Sequence, residues 1–410
     1  MKTEGQSAAK ALQHAWQTGM LDRTNDPAAL FVDWDVLDHR LNCLREEWPH
    51  FEHAVAIKSQ PHPGVLRYLV QQGFGLEAAS LEEVKRGLEA GCAPHKIVFD
   101  SPVKTRQELI WLQQNTPGLL VNANALEELP RHPQKPNYRL GLRINPEVHT
   151  GSPALFHVSS NASKFGVSLT QRAQILDALR TYPISGLHLH SGSQITDLSA
   201  QMQAIRLVLE LAQEANAERQ QLGLELLDWI DIGGGLPASP WDGMRRYANE
   251  FFQNTTPEER AQFTWHTEFG QWVHAHAGWT VSRLEYVLPR SEAPSVAYLH
   301  VGADLFLRDA YTAPRPFPLV ALNADGTPNT NAQLQPYDVA GPLCFAGDYV
   351  ARKAQLPELH EGDWLVLQET GANAYGLWSR HCSRTVPAVL GHRPSTGEVQ
   401  KLSDRTEINF

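Results

Sequence analysis

The sequence predicts an α/β protein in which a parallel (β/α)8 barrel is followed by an all-β domain. Up to about residue 280, some eight short apolar segments alternate with segments of helical spacing, which is the pattern of repeated β–α units. Beyond that point, the predicted strands follow one another without long helices between them. A length of 410 residues exceeds one ordinary domain and suits this two-domain arrangement.

The barrel is expected at residues 31–280, and the β-domain, a sandwich or barrel, at residues 281–410, joined by residues 1–30. After a strand at 30–33 and a helix at 34–47, the barrel strands are predicted at 53–58, 75–79, 96–99, 119–121, 140–145, 184–190, 229–232 and 263–268. In the β-domain, strands are predicted at 281–287, 295–301, 318–322 and 364–367. A doubly wound open sheet is the alternative architecture.

Composition limits the class of partner. A formal net charge of −10 and a pI near 6.0 argue against nucleic acid, although a local pocket can still bind a small anion. The four cysteines show neither a CxxC pair nor zinc-type spacing, which is typical of a reduced protein without a metal site. The N-terminus lacks a signal-peptide core, and no apolar run could span a bilayer. We therefore expect a cytoplasmic protein with no membrane partner.

A lysine and a histidine stand at the ends of two predicted strands. Lys58 closes the apolar segment 53–58, so its side chain should emerge at the barrel mouth, where an amine can form a Schiff base. His190 and Ser193 belong to the segment HLHSGSQ, residues 188–194. A neutral imidazole there can lie flat on a pyridine ring, and the hydroxyl with nearby N–H groups can bind phosphate. Taken alone, the lysine or the histidine is more often structural.

Two other strand ends add an anion-binding turn and a carboxylate. Gly233, Gly234 and Gly235 have no Cβ to keep an anion away, and they lack the GxGxxG spacing of a dinucleotide-binding dehydrogenase. Glu268 ends the last barrel strand, where it can keep a pyridine nitrogen protonated, although alone it would pass for an N-cap or a surface acid. Together, the four groups at successive strand ends indicate pyridoxal 5'-phosphate (PLP).

The β-domain contributes two further candidates. Cys344 lies in the segment GPLC, residues 341–344, and a thiol beside a cofactor can donate a proton to a carbanion. Tyr375 lies in GANAYG, residues 371–376, and its hydroxyl can bind phosphate. A single cysteine in an apolar setting is otherwise more often a small core residue.

In this order along the chain, the segments resemble the fold-type III, alanine racemase-like PLP enzymes, and within them the diaminopimelate/ornithine decarboxylase family. The resemblance runs from Phe31 to Tyr375. It rests on AIKS at 56–59, ASLEE at 79–83, LRINP at 142–146, SKFG at 163–166, HSGSQ at 190–194 and DIGGG at 231–235. HSGSQ is especially similar to the diaminopimelate branch.

The resemblance implies a role for each candidate and a PLP-binding barrel as the fold. Lys58 would form the Schiff base and His190 would stack on the ring. Glu268 would pair with the pyridine nitrogen, and Cys344 would be the proton donor. Phosphate would be held by Ser193, Gly233, Gly234, Gly235 and Tyr375. In such enzymes the cysteine segment comes from the second subunit, so a homodimer with shared active sites is implied.

Two departures from the family concern the cofactor and the substrate. The usual Glu-Pro-Gly-Arg is EFGQ at 268–271, so Gln271 replaces a phosphate-binding arginine and donates weaker hydrogen bonds. After Cys344, relatives acting on lysine, ornithine or diaminopimelate carry an acidic residue for the distal amine. Here the residue is Phe345, against which an unpaired ammonium would be costly to bury. Further candidates for contacting the substrate are Arg143, Arg308 and Tyr311.

The preferred hypothesis is PLP-dependent α-decarboxylation of an amino-acid-type small molecule. Because family members with altered specificity pockets occur in siderophore biosynthesis, we favour a citrate-linked amino acid as the substrate. Diaminopimelate decarboxylation in lysine biosynthesis is the first alternative. A PLP-dependent racemase and a non-catalytic PLP-binding protein are the others, although simple racemases of this fold place an arginine beside the ring nitrogen instead of a carboxylate.

Overall fold

Two nine-stranded sheets organise the chain in this computed structural model, which describes residues 2–406 and, for residues 2–4 and 311, the backbone alone. The helices are α1 (Lys2–Gln17), α2 (Trp34–Glu47), α3 (Pro63–Gln71), α4 (Leu81–Glu89), α5 (Arg106–Asn115), α6 (Arg172–Thr181), α7 (Leu198–Gln221), α8 (Gly243–Asn254), α9 (Pro257–Arg260) and α10 (Gln271–His274).

The first nine strands are β1 (Ala28–Asp33), β2 (Phe51–Ala56), β3 (Gly75–Ala78), β4 (Ile97–Phe99), β5 (Leu120–Ala123), β6 (Arg139–Asn145), β7 (Val167–Ser168), β8 (Ile184–His188) and β9 (Trp229–Asp231). The other nine are β10 (Thr264–Thr267), β11 (Gly278–Leu288), β12 (Ser295–Leu299), β13 (Leu319–Leu322), β14 (Leu334–Ala340), β15 (Tyr349–Pro357), β16 (Trp364–Leu367), β17 (Ala388–Arg393) and β18 (Glu398–Ser403).

Eight parallel strands close into a barrel. They pair in the order β2-β3-β4-β5-β6-β8-β9-β10, and β10 pairs back with β2, so every barrel strand has two parallel neighbours. The short strand β7 pairs only with the end of β6, outside this ring. Closure confirms the predicted (β/α)8 barrel and excludes the open sheet, and it brings the carboxyl ends of all eight strands to one mouth.

A buried tryptophan fills part of the barrel interior. Trp229 of β9 clusters with Ala54, Val98 and Leu120, and its indole N–H donates to the Ser185 hydroxyl at 2.9 Å. The neighbouring strands make room for the ring by carrying glycine. A Cβ at position 141 or 186 would lie 2.3 or 2.1 Å from ring carbons of the indole. The large Trp229 side chain therefore fits here because residues 141 and 186 have no side chain.

The second unit contains the mixed sheet, with strands β11 to β18 and β1. It comprises the described residues up to Arg40 and those from His274 onward, whereas the barrel unit is Leu41–Val273. The predicted boundaries at residues 31 and 280 differ from these limits because two strands belong to the mixed sheet: β11, which already begins at Gly278, and β1, which does not pair with barrel strands. It lies antiparallel to β11 and parallel to β17, and Phe31 stacks on Trp279 with ring centroids 3.9 Å apart.

Helix α1 packs on this mixed sheet. Its Ala8, Leu12 and Ala15 share a buried apolar cluster with Trp364 and Leu390. The confirmed β-domain also contains strands that apolar alternation does not predict, namely β14, β15, β17 and β18. In β15, for example, exposed Arg352 and Lys353 interrupt the pattern.

None of the helices within residues 2–406 combines the length and apolarity needed to cross a membrane.

We expect Gly186→Ala to destabilise the barrel, because its methyl group would overlap the buried Trp229 ring. Overpacking of this kind costs roughly 1–3 kcal/mol, which the midpoint of urea unfolding would register. Gly243→Ala in α8 is the matched control, since its Cβ would meet no atom closer than 3.9 Å. Equal midpoints for both variants would contradict the packing described for Trp229.

Candidate active site

Lys58 lies just beyond β2, in a 3-10 turn that spans Ile57–Ser59. Its Nζ donates a hydrogen bond to Oε2 of Glu77 at 2.5 Å, and Glu77 is fully buried in β3 while the lysine is half-exposed. Burial raises the pKa of Glu77 to about 7, although the ammonium opposes the shift. Desolvation opposes the charge on Lys58, but the carboxylates around it, Glu77 foremost, raise its pKa above the usual value.

Glu268 directly follows β10 and is held from two sides. Its backbone N–H donates to the carbonyl of Gly233 at 2.8 Å, and its Oε2 lies 3.3 Å from Nε2 of His188, the last residue of β8. Burial by itself would raise the pKa of Glu268, but the charge and hydrogen bond of His188 outweigh it and lower that pKa to about 2. Burial also opposes the charge on His188, yet Asp100 and Glu268 raise its pKa to about 9.

A second carboxylate extends this ion pair. Oδ1 of Asp100, the residue after β4, lies 3.6 Å from Nδ1 of His188, and its Oδ2 accepts a hydrogen bond from Arg143 of β6 at 2.7 Å. The row Arg143–Asp100–His188–Glu268 thus alternates positive and negative charges, which offsets the cost of burying each of them. Arg143, which the sequence predicted to contact substrate, is 5% exposed and is engaged in a buried ion pair with Asp100.

His190 lies two residues beyond His188. Its Nδ1 accepts a hydrogen bond from the N–H of Gly234 at 3.3 Å and is 4.0 Å from Oε2 of Glu268. Burial, helped by the charge of Arg143, lowers the pKa of His190 to about 3. The imidazole is therefore neutral at physiological pH, as a group lying against an aromatic ring should be.

The turn formed by Gly233, Gly234 and Gly235 is compressed between two neighbouring loops. At Gly235, φ is +93°, and a Cβ would lie 2.1 Å from the carbonyl oxygen of Gly192. A Cβ on Gly234 would lie 2.4 Å from the carbonyl oxygen of Glu268. Glycine is required at both positions, because any Cβ would overlap the backbone of a neighbouring loop. The N–H groups of Gly233 and Gly234 donate to Asp231 and His190, so within the turn the N–H of Gly235 is the candidate for binding an anion.

The other two barrel candidates are partly buried. The backbone N–H of Ser193 donates to the carbonyl of Phe156 at 3.1 Å, so its hydroxyl is the group left for a phosphate. Gln271 opens the short helix α10, three residues after Glu268.

The remaining sequence candidates lie in the β-unit. Cys344 is exposed in the loop between β14 and β15, and Tyr375 begins a 3-10 turn that ends at Leu377. Arg308 lies in the π-helical segment Leu307–Thr312, and the side chain of Tyr311 in that segment is outside the described part of the chain.

The loop that carries Cys344 is organised by Asp348. This buried carboxylate accepts hydrogen bonds from the backbone N–H groups of Ala303 at 2.7 Å and Leu343 at 2.6 Å. Phe345 is partly buried and stands edge-on to His381, with ring centroids 6.1 Å apart. The acidic group of this loop therefore shapes the loop itself.

Four buried residues of the barrel site received no role from the sequence: Glu77, Asp100, His188 and Asp231. Each lies within the last two residues of a barrel strand or directly follows one. The signal that the sequence offers for these residues is a titratable group at the end of an apolar segment. It could not reveal partners, because those lie on strands far apart in the chain.

The described residues fit pyridoxal phosphate. Lys58 offers an amine to its aldehyde, the neutral face of His190 suits its ring, and the glycine turn suits its phosphate. Glu268 offers a carboxylate whose Oε1 is buried and has no hydrogen-bond partner among the described residues. A buried acceptor of this kind requires a donor, and a pyridinium N–H is one.

Comparison with known proteins agrees with this chemistry. Residues 35–268 match the family described as pyridoxal-dependent decarboxylase, pyridoxal binding domain. A diaminopimelate decarboxylase from Pseudomonas aeruginosa is 28% identical over 369 residues, which cover 86% of this chain and 84% of that protein. Another, from Methanothermobacter thermautotrophicus, is 27% identical over 374 residues, or 88% and 83% of the two chains. These matches confirm PLP as the cofactor.

Solved structures share the fold at lower identity. The diaminopimelate decarboxylase of Helicobacter pylori, complexed with L-lysine, superposes with a TM-score of 0.81 at 22% identity and covers 96% of each chain. The lysine/ornithine decarboxylase of Vibrio vulnificus, complexed with putrescine, gives a TM-score of 0.73 at 20% identity, covering 91% of this chain and 94% of that one.

We expect Gly235→Ala to weaken PLP binding by at least about tenfold, because its Cβ would force the glycine turn away from the loop at Gly192. Titration of the apoprotein with PLP measures the dissociation constant. Gly223→Ala is the control, since Gly223 also has a positive φ, +69°, but no atom lies within 4 Å of its Cβ position. Unchanged affinity in the Gly235 variant would remove the turn from the cofactor site.

We expect Glu77→Gln to shift the pH dependence of PLP attachment to lower pH. The neutral amine of Lys58 is the reactive form, and loss of the neighbouring carboxylate lowers the lysine pKa. The attachment rate, followed by visible absorbance from pH 6 to 10, gives the midpoint. Glu52→Gln, at an exposed position of β2, is the control. Coincident midpoints for Glu77→Gln and the unmodified protein would contradict the role of this ion pair.

Proposed function

We propose that this chain, which belongs to the pyridoxal-dependent decarboxylases, removes one α-carboxylate of diaminopimelate as CO₂. The observation that carries the proposal is the match to curated diaminopimelate decarboxylases over more than four fifths of both chains. The segment HSGSQ at 190–194, which is similar to the diaminopimelate branch, supports it from the sequence.

Each candidate residue would have a separate role in decarboxylation. PLP, when bound, accepts the electron pair left on the α-carbon as CO₂ departs. Lys58 would hold the cofactor covalently, and Glu268 would keep a proton on the pyridine nitrogen. His190, neutral and flat, would fix the ring plane without adding charge. The glycine turn, with Ser193, Gln271 and Tyr375, would bind phosphate.

Reprotonation of the α-carbon requires an acid at the mouth of the site. Cys344 is the proposed donor, and it is exposed as an accessible thiol must be. In the family, this cysteine segment comes from the second subunit, so the proposal includes a homodimer with shared active sites.

A second candidate substrate is an amino acid conjugated through its distal end, such as a citrate-linked amino acid of siderophore biosynthesis. Phe345 favours it, because this residue stands where relatives place an acid for the distal ammonium. The nearby Asp348 is engaged by the N–H groups of Ala303 and Leu343. A distal group without a free ammonium would avoid an unpaired buried charge, and Arg308 and Tyr311 are candidates to meet it.

The test is CO₂ release by the PLP-loaded protein from meso-diaminopimelate, lysine, ornithine and citryl-linked serine or diaminopropionate. Release chiefly from meso-diaminopimelate is the expected result. Release only from a conjugate would replace it with the second candidate, and Cα–H exchange without CO₂ would indicate a racemase. Binding of PLP with neither reaction would indicate a non-catalytic binding protein.

Substitution at Phe345 sharpens this test. Phe345→Glu supplies a carboxylate at the position of the family's acid, so preference for meso-diaminopimelate over the conjugate should rise, roughly tenfold or more in kcat/KM. Phe345→Gln is the control of similar size without the charge. Equal preference in both variants would show that residue 345 does not contact the distal group.

A further inference from the structure

His188 occupies an unusual position for a buried histidine, because a carboxylate stands at each of its ring nitrogens. Nε2 lies 3.3 Å from Oε2 of Glu268, and Nδ1 lies 3.6 Å from Oδ1 of Asp100. The side chain is fully buried. The contact at Nε2 is a hydrogen bond, whereas the contact at Nδ1 is an ion-pair distance beyond hydrogen-bond range. A neutral imidazole could direct an N–H toward only one of these carboxylates, whereas an imidazolium directs an N–H toward each.

The surroundings explain why Glu268 requires this cation. Burial disfavours its charge, and the other acidic groups at the mouth, Glu77, Asp100 and Asp231, repel it. Asp231, on the adjacent strand β9, shows the outcome of such a position, because burial and Glu268 raise its pKa well above the usual value. Three charged basic groups face this cluster, namely Lys58, Arg143 and His188. His190 and His266 also interact with Glu268, but burial lowers the pKa of each.

Of these three, His188 is the one in hydrogen-bond contact with Glu268. Lys58 binds Glu77, and Arg143 binds Asp100. The contact also separates the two oxygens of Glu268. Oε2 is occupied by His188, whereas Oε1 is buried without a hydrogen-bond partner among the described residues. His188 therefore fixes the carboxylate of Glu268 through Oε2 and leaves Oε1 available for another donor.

We propose that His188 is a positioning residue for the carboxylate that meets the pyridine nitrogen. As an imidazolium bound between Asp100 and Glu268, it keeps Glu268 ionised and turns Oε1 toward the cofactor. Loss of His188 would let Glu268 take up a proton, and a protonated carboxyl is a poor acceptor for a pyridinium N–H. The inference rests on the proposed decarboxylase function, but its first test requires no substrate.

The first test is the protonation state of His188 in the apoprotein. Because Asp100 and Glu268 raise the pKa of His188 to about 9, its imidazole should keep both N–H protons at pH 8 in a ¹⁵N-histidine NMR spectrum. His188→Gln assigns that signal by its disappearance. If this variant does not fold, the signal in the unmodified protein still decides. A spectrum with no doubly protonated buried histidine at pH 8 would overturn the proposal.

The second test is the pH dependence of kcat and of PLP absorbance in a variant that lacks the His188 cation. In His188→Gln, burial and the neighbouring acids should raise the pKa of Glu268, so kcat near pH 7 falls roughly tenfold or more and recovers as pH rises and Glu268 ionises. KM should change little. The visible absorbance of bound PLP should acquire a transition over the same pH range, which can be read without any substrate.

His266→Gln is the matched control. His266 is also buried in the barrel, on β10, but burial lowers its pKa to about 4, so its replacement removes a neutral group. The expected result is a new pH transition in His188→Gln that is absent from His266→Gln. Unchanged pH profiles of both kcat and PLP absorbance in His188→Gln would overturn the proposal. Absence of CO₂ release from every substrate would instead count against the proposed function, and the NMR and absorbance results would stand independently.

Discussion

A carboxylate moved from water into a protein interior loses several kcal/mol of solvation unless an opposite charge meets it there. The mouth of this barrel buries Glu77, Asp100 and Glu268 together, and its chemistry depends on how they are paired. Lys58 pairs with Glu77, and His188 pairs with Glu268. Each pairing does two things at once, because it stabilises a buried acid and sets the protonation state of a basic group.

These pairings exist only because the barrel closes. Glu77, Asp100, His188 and Glu268 come from the ends of β3, β4, β8 and β10, which lie far apart in the chain but share one mouth. Inside the closed barrel, Trp229 fills the space left by glycines at 141 and 186. The glycine turn after β9 applies the same principle at the mouth, since small residues let neighbouring loops approach each other.

In the proposed function, the β-unit contributes the candidates for proton return and for contact with the distal part of the substrate. Its loop 341–348 contains the thiol of Cys344 and one buried acid, Asp348, which binds backbone N–H groups of the same region. Phe345 therefore stands without a free carboxylate beside it in that loop. The similarity to diaminopimelate decarboxylases favours a substrate with a free distal ammonium, whereas Phe345 in this loop favours a substrate whose distal end carries none. Both candidates are α-amino acids that would lose CO₂.

By itself, the sequence determined the fold class, the cofactor and the residues Lys58, His190 and Glu268 as barrel candidates, because these depend on local patterns. Apolar segments, small residues and functional groups at strand ends can all be read within a few positions. Tertiary structure alone decided that β1 belongs to the mixed sheet, because strand pairing is non-local. It also decided the partners: that Arg143 pairs with Asp100, and that His188 lies between two carboxylates. Ionisation states follow from such contacts and from burial, which arise only when distant strands meet.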